Sequence, residues 1–203
     1  MPWHPWLREQ LAQTLRESAP TSPTACEGWE ARHLVAHLVL REHAPWRVLG
    51  GATDRLADEA LDPAAYARLV DRFATPPPRW SPYSWAGEAM NRTELVIHTE
   101  DLRRGAGDLT PRELPPGLVA TLDGSVAMTA LAGYRASPVG VELVEPDGTA
   151  HRGRRARRGR GSVRVEGPPL ELLLHASGRR RFAAVELTGD PDDVAAFRAA
   201  LPA

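Results

Sequence analysis

The chain has 203 residues, enough for one domain or two small ones, and its 42% hydrophobic content is adequate for a packed core. A formal net charge of -1 gives no overall attraction to nucleic acid or to an anionic membrane. The single cysteine, Cys26, excludes an internal disulfide and fits a reducing compartment. No apolar run approaches the roughly 20 residues that span a bilayer, and the amino terminus lacks a basic region followed by an apolar one. A cytoplasmic protein is expected, with neither membrane nor nucleic acid as partner.

Trp3, Leu7, Leu11 and Leu15 are spaced by four and predict an amphipathic helix over residues 4–17. The prolines of the 18–23 stretch end it, and residues 24–29 form a compact loop whose Trp29 is expected to pack on the end of a bundle. Cys26 in this loop reads as a small buried residue, because no basic neighbour in sequence would lower its pKa. A second helix follows over residues 30–43, limited by Pro45, and from Leu34 to Leu40 it is apolar almost all round, as in the centre of a bundle. His37 is the only polar side chain in that run. His33, one turn earlier, reads as solvent-facing or as an alternative ligand.

Asp62-Pro63 starts a third helix that runs through Phe73, with Leu69, Val70 and Phe73 on its apolar side. Pro76-Pro77-Pro78 gives a stiff extended connector. Trp80, Tyr83 and Trp85 follow it and either cover the bundle or wall the mouth of a pocket.

Residues 90–104 contain no helix breaker, and Met90, Leu95, Ile97 and Leu102 form one broad apolar face. Glu94 and His98 lie in the middle of that face, one turn apart, and Asp101 joins them. A charge buried there needs a partner. A Glu–His hydrogen bond would serve, as would a helix turned toward water. A metal ion uses both groups at once, since imidazole and carboxylate are ordinary zinc ligands. With His37 from the second helix they make three protein ligands and leave a fourth position for water or substrate.

Residues 117–134 are helix-like, with Leu118, Leu122 and Val126 spaced by four and with Gly124 and Gly133 permitting close helix approach. At Pro138 the period changes to two. Strands are expected around Val139–Leu143, around Val163–Val165 and over residues 183–188, with a short helix over 170–176 and a closing helix from Asp190-Pro191. The fold class is therefore α+β: a helical bundle over residues 1–137 and a small α+β domain over 138–203. Six arginines between Arg152 and Arg160 read as a solvated strand edge or hairpin. No aromatic residue is interleaved among them for base stacking.

Thr24-x-Cys26-x-Gly28-Trp29, Ala36-His37-Leu38 and Asn91-x-x-Glu94-x-x-x-His98-x-x-Asp101 together resemble the DinB-like metal-binding proteins. The nearest resemblance within that group is to the mycothiol-dependent maleylpyruvate isomerase family of actinobacteria, in an uncharacterised metal-binding subgroup. The resemblance covers nearly the whole chain and implies a DinB-like four-helix bundle that carries a divalent metal, usually zinc. It places His37, Glu94 and His98 at the three ligand positions. Leu172 to Arg179 is similar to the family's carboxyl-domain Gly-Arg segment, which makes Arg179 the expected anion clamp, with Arg180 and Arg181 beside it.

The activity so implied is metal-dependent activation of a low-molecular-weight thiol such as mycothiol. Coordination favours the thiolate, which is then transferred to a small electrophile or isomerises it by addition and elimination. Asp101 would orient a ligand by hydrogen bond, and the protein would act as a monomer or homodimer. One alternative is a non-catalytic metal-binding protein that binds a small ligand, its coordination closed by a fourth residue such as His33. Another is a nucleic-acid-binding protein using Arg152 to Arg160, which requires salt-dependent binding.

Overall fold

A computed structural model describes residues 3–48, 51–85 and 88–202. The chain divides into two compact units, with the boundary between Leu109 and Thr110. The first unit is helical and the second holds a four-stranded sheet, so the fold is a helical amino-terminal part followed by a small sheet domain.

The first unit contains α1 (His4–Glu17), α2 (Ala31–His43), α3 (Ala52–Glu59), α4 (Pro63–Ala74), α5 (Pro82–Trp85) and α6 (Glu88–Gly105). The four long helices α1, α2, α4 and α6 form the bundle. Leu7, Leu11 and Leu15 of α1 are fully buried, as their spacing predicts, and α1 packs on α4 and α6. Asp62 caps α4 by accepting the amide hydrogens of Ala64 and Ala65, with Pro63 in the first turn. Helix α3 has no counterpart in the apolar pattern, because the residues it buries against α2 are Ala52, Thr53 and Ala57. These three residues are small, so the helix is amphipathic through its charged face and not through a stripe of large apolar side chains.

Two features of the bundle depart from the expected faces. Arg8, between Leu7 and Leu11, is buried, and its guanidinium forks onto Glu42 of α2 with both contacts at 2.7 Å while also donating to the Phe73 carbonyl. Met90 is 50% exposed, so the apolar face of α6 begins at Leu95 and continues through Ile97 and Leu102. At the far end of α6, Gly105 lies against the backbone of Thr24, where a Cβ would come within 2.3 Å of the Thr24 Cα. The Ala25 amide also donates to the Asp101 carbonyl at 2.8 Å, which seats the loop between α1 and α2 directly on α6.

The second unit contains α7 (Pro116–Val119), α8 (Asp123–Gly133), β1 (Gly140–Val144), β2 (Ala150–Arg154), β3 (Ser162–Glu166), α9 (Pro169–Ala176), β4 (Glu186–Thr188) and α10 (Pro191–Ala200). Strand order is β2-β1-β3-β4, with β1 and β3 parallel and the other pairs antiparallel. The single helix expected over 117–134 is two helices, broken at residues 120–122. Helix α8 packs on α9 and β2, so it belongs with the sheet, whereas the sequence pattern groups everything through residue 137 with the bundle.

Gly133 permits the α8–α9 approach, since a Cβ there would lie 1.8 Å from the Ala176 carbonyl oxygen. Gly124 faces open space and has no such role. Strand β2 is the sheet edge and carries Arg152 and Arg154. Its inward residue is Gly153, packed beneath the Tyr134 ring, so the strand shows no alternation of apolar side chains. Strand β4 is shorter than the expected 183–188 because pairing with β3 begins at Glu186.

Candidate metal centre

Helix α2 presents His37 and Arg41, one turn apart, and α6 presents Glu94, His98 and Asp101 at helical spacing. The two sets meet in the first unit. Glu94 Oε1 lies 3.2 Å from His37 Nε2 and 3.1 Å from His98 Nε2. One ligand atom from each of these residues falls within 4.8 Å of the other two. On its other side, His98 Nδ1 is 2.8 Å from Asp101 Oδ2, and Asp101 is completely buried.

The electrostatics of the cluster follow from these contacts. Burial alone would raise the Glu94 carboxyl pKa, but bonds to His37 and His98 and the charge of Arg41 hold it far below the usual carboxylate range. Burial likewise disfavours a charged His98, yet Asp101, then Cys26 and Glu94, outweigh it and keep the imidazole pKa well above its ordinary value. Two imidazole nitrogens and an ionised carboxylate oxygen aimed at one point are a donor set that fits a divalent cation. Asp101 then holds the Nδ1–H of His98, which leaves Nε2 as the ligand atom.

Four further residues stand around this centre. Arg41 places Nε 3.4 Å from Glu94 Oε1, and its guanidinium lies 3.9 Å from the centroid of the Tyr83 ring. Asn91 donates to the Tyr83 carbonyl at 2.9 Å. The Trp29 ring sits 5.3 Å from that of His37, so it flanks the cluster, whereas its sequence context predicts packing on the bundle end. Cys26, expected to be a small buried residue, is half-buried and places Sγ 3.1 Å from Asp101 Oδ2. Cys26 and Asp101 are 75 positions apart, and only the seating of the loop on α6 joins them. Two of the four carried a legible signal: Arg41 stands four residues after His37, and Asn91 stands three before Glu94, each on its own helix.

Cys26, His98 and Asp101 form a second group whose ligand atoms also fall within 4.8 Å of one another. The two groups share His98 and differ in access. The side chains of His37 and Glu94 are 20% and 26% exposed, whereas Asp101 is 0% exposed. A centre that also receives a small molecule needs the accessible group. His33 is in neither group: its Nδ1 accepts the Glu30 amide hydrogen at 3.1 Å in the cap of α2.

Tyr83 and Trp85 line a cavity of about 420 Å³ in the same unit, with Arg8 and Asn91 on its wall, while Trp80 stacks near Trp46. Arg179 belongs to the second unit, where its guanidinium donates to the Ser177 carbonyl at 2.9 Å. Arg181 is exposed and lies over the Phe182 ring. Among the described residues, no helix is long and apolar enough to cross a membrane.

A helical unit with inward His and Glu side chains, followed by a small mixed sheet, is the fold class this chain adopts. In particular it is the fold of the mycothiol-dependent maleylpyruvate isomerase. The solved structure of that enzyme superposes with a TM-score of 0.62 at 21% identity, covering 91% of this chain and 90% of the enzyme's. A histidine-to-alanine variant of the same enzyme gives a TM-score of 0.63 at 18% identity with the same coverage. No family model and no curated protein matches the chain by sequence.

Proposed function

We propose that the protein is a divalent-metal-dependent enzyme, most naturally a zinc enzyme, that uses a low-molecular-weight thiol such as mycothiol to modify or isomerise a small electrophile. The observation that carries this reading is the convergence of His37 Nε2, Glu94 Oε1 and His98 Nε2 between α2 and α6. Support comes from the shared fold, whose solved example is a mycothiol-dependent isomerase.

A divalent cation held by those three residues would supply Lewis acidity that favours the thiolate of a bound thiol. The chain's own residues divide the remaining work. Asp101 accepts the Nδ1–H of His98 and fixes the ring's tautomer and orientation. Arg41 lies against the Glu94 oxygen and offsets its charge, and its seat on the Tyr83 ring sets its position. Trp29 covers His37 and limits water around it. Arg179 is proposed as the clamp for a carboxylate or for the anionic part of the thiol. His33 is committed to the α2 cap, so a coordination sphere closed by that residue loses its support.

Elemental analysis of protein purified without added metal tests the first half of the reading, with about one divalent ion per chain expected. Thiol-conjugation and isomerisation assays with mycothiol and with glutathione, before and after chelation, test the second. Metal present without any thiol chemistry would support the non-catalytic alternative.

A further inference from the structure

The second unit holds a cavity of about 280 Å³ whose lining differs from that of the first unit's centre. His175, Arg180 and the exposed Arg198 contribute its polar side, and Val185, Leu187 and Phe197 contribute its apolar side. His175 is 3% exposed. Its Nδ1 lies 2.6 Å from the Tyr134 hydroxyl; burial keeps that phenol protonated, and since its O–H has no other acceptor among the described residues, it donates to Nδ1. Burial, and then the charge of Arg180, push the imidazole pKa down to about 4. The ring is therefore neutral, and its remaining proton is on Nε2. That nitrogen has no protein partner among the described residues and is left for the cavity that the ring lines.

Arg180 has the complementary deficit. Its guanidinium is half-buried and donates to the Gly133 carbonyl at 3.1 Å, its buried Nε has no partner, and no carboxylate among the described residues pairs with it. A partly desolvated cation without a counter-ion, beside a preset N–H donor, is an arrangement that an anion completes. Of the two cations Arg198 is exposed and stays solvated, so the half-buried Arg180 and one neutral donor suit a single negative charge. The apolar walls call for a hydrocarbon body as well.

We propose that this cavity binds a small organic monocarboxylate, its carboxylate on the Arg180 guanidinium and His175 Nε2–H and its body against Val185, Leu187 and Phe197. A body of about six to ten carbons matches the space. The site lies within the second unit and is independent of the metal-centre reading.

The test is titration of the full chain, isotope-labelled at histidine, with hexanoate, 1-hexanol and inorganic phosphate, reading the imidazole resonances of His175. Hexanoate is expected to shift them saturably, with 1-hexanol and phosphate at least about tenfold weaker. Arg180→Gln should weaken hexanoate about tenfold or more, and Arg180→Lys, which keeps the charge but not the guanidinium fork, should weaken it less than Arg180→Gln does. Val185→Asp puts a carboxylate on the wall without touching the Tyr134–His175 bond, and it should abolish binding even if Arg180→Gln fails to fold. The proposal is overturned by the absence of a saturable shift up to about 50 mM hexanoate. Equal affinity for 1-hexanol, or undiminished binding in folded Arg180→Gln or Val185→Asp, would overturn it as well.

Discussion

His98 Nδ1 and Asp101 Oδ2 are 2.8 Å apart in a spot where the aspartate has no exposure to solvent, and the Cys26 thiol reaches the same oxygen at 3.1 Å. The carboxylate therefore sets the orientation of one proposed ligand from behind. Asp101→Asn keeps the size and removes the charge, and outer partners of this kind are worth about 10- to 100-fold in metal affinity. A loss in that range is expected, measured by competition with a chelating indicator. Unchanged affinity would remove Asp101 from the site.

Two donor groups share His98, and Cys26 distinguishes them. Glu94→Gln and His37→Ala are expected to lower the bound metal well below about one per chain, whereas Cys26→Ala should leave it unchanged. In cobalt-substituted protein no thiolate-to-metal charge-transfer band is expected. Such a band, lost in Cys26→Ala, would place the ion on the other face of His98.

Gly124 and Gly133 lie in one helix and predict opposite responses. Gly133→Ala drives a methyl group into the Ala176 carbonyl, with 1.8 Å between the atoms, and should destabilise by about 1–3 kcal/mol or more. Gly124→Ala meets nothing within 4 Å and should stabilise by up to about 1 kcal/mol through helix propensity. Urea denaturation of the two variants checks both signs.

The buried His175 makes stability depend on pH. Its pKa is about 4 in the folded chain, against an ordinary value of 6.5, so between those values the unfolded chain binds the extra proton. The contribution is complete above pH 6.5 and is lost as pH falls toward 4, amounting to about 3 kcal/mol. Denaturation at pH 7 and pH 5 should show a smaller pH loss in His175→Gln than in the natural chain. An equal loss in both would show that His175 is not the group responsible.

Arg8 and Glu42 form a forked, buried ion pair between α1 and α2. Removing one partner strands the other charge, so Glu42→Ala should destabilise the bundle by about 3–5 kcal/mol. Arg8→Met with Glu42→Leu should recover most of that loss. Thermal unfolding of the single and double variants measures the difference.

Helical period alone determined that Glu94, His98 and Asp101 share one face, because side chains three and four residues apart stack along a helix whatever surrounds it. The apolar run around His37 likewise marked a central helix, and the change to period two at Pro138 announced the sheet. What the period could not reach were partners brought together across the chain. Cys26 meets Asp101 only because Gly105 lets the Thr24 loop sit on α6, and Arg41 meets Tyr83 only through the packing of α5 on α2. The arginines of β2 announced a strand edge, but its extent carried no apolar alternation because its inward residue is Gly153, and α3 presents only alanines and a threonine to α2 in place of large apolar side chains. Tertiary packing also decided that α8 belongs with the sheet, since the missing side chain of Gly133 is informative only once the Ala176 carbonyl lies against it.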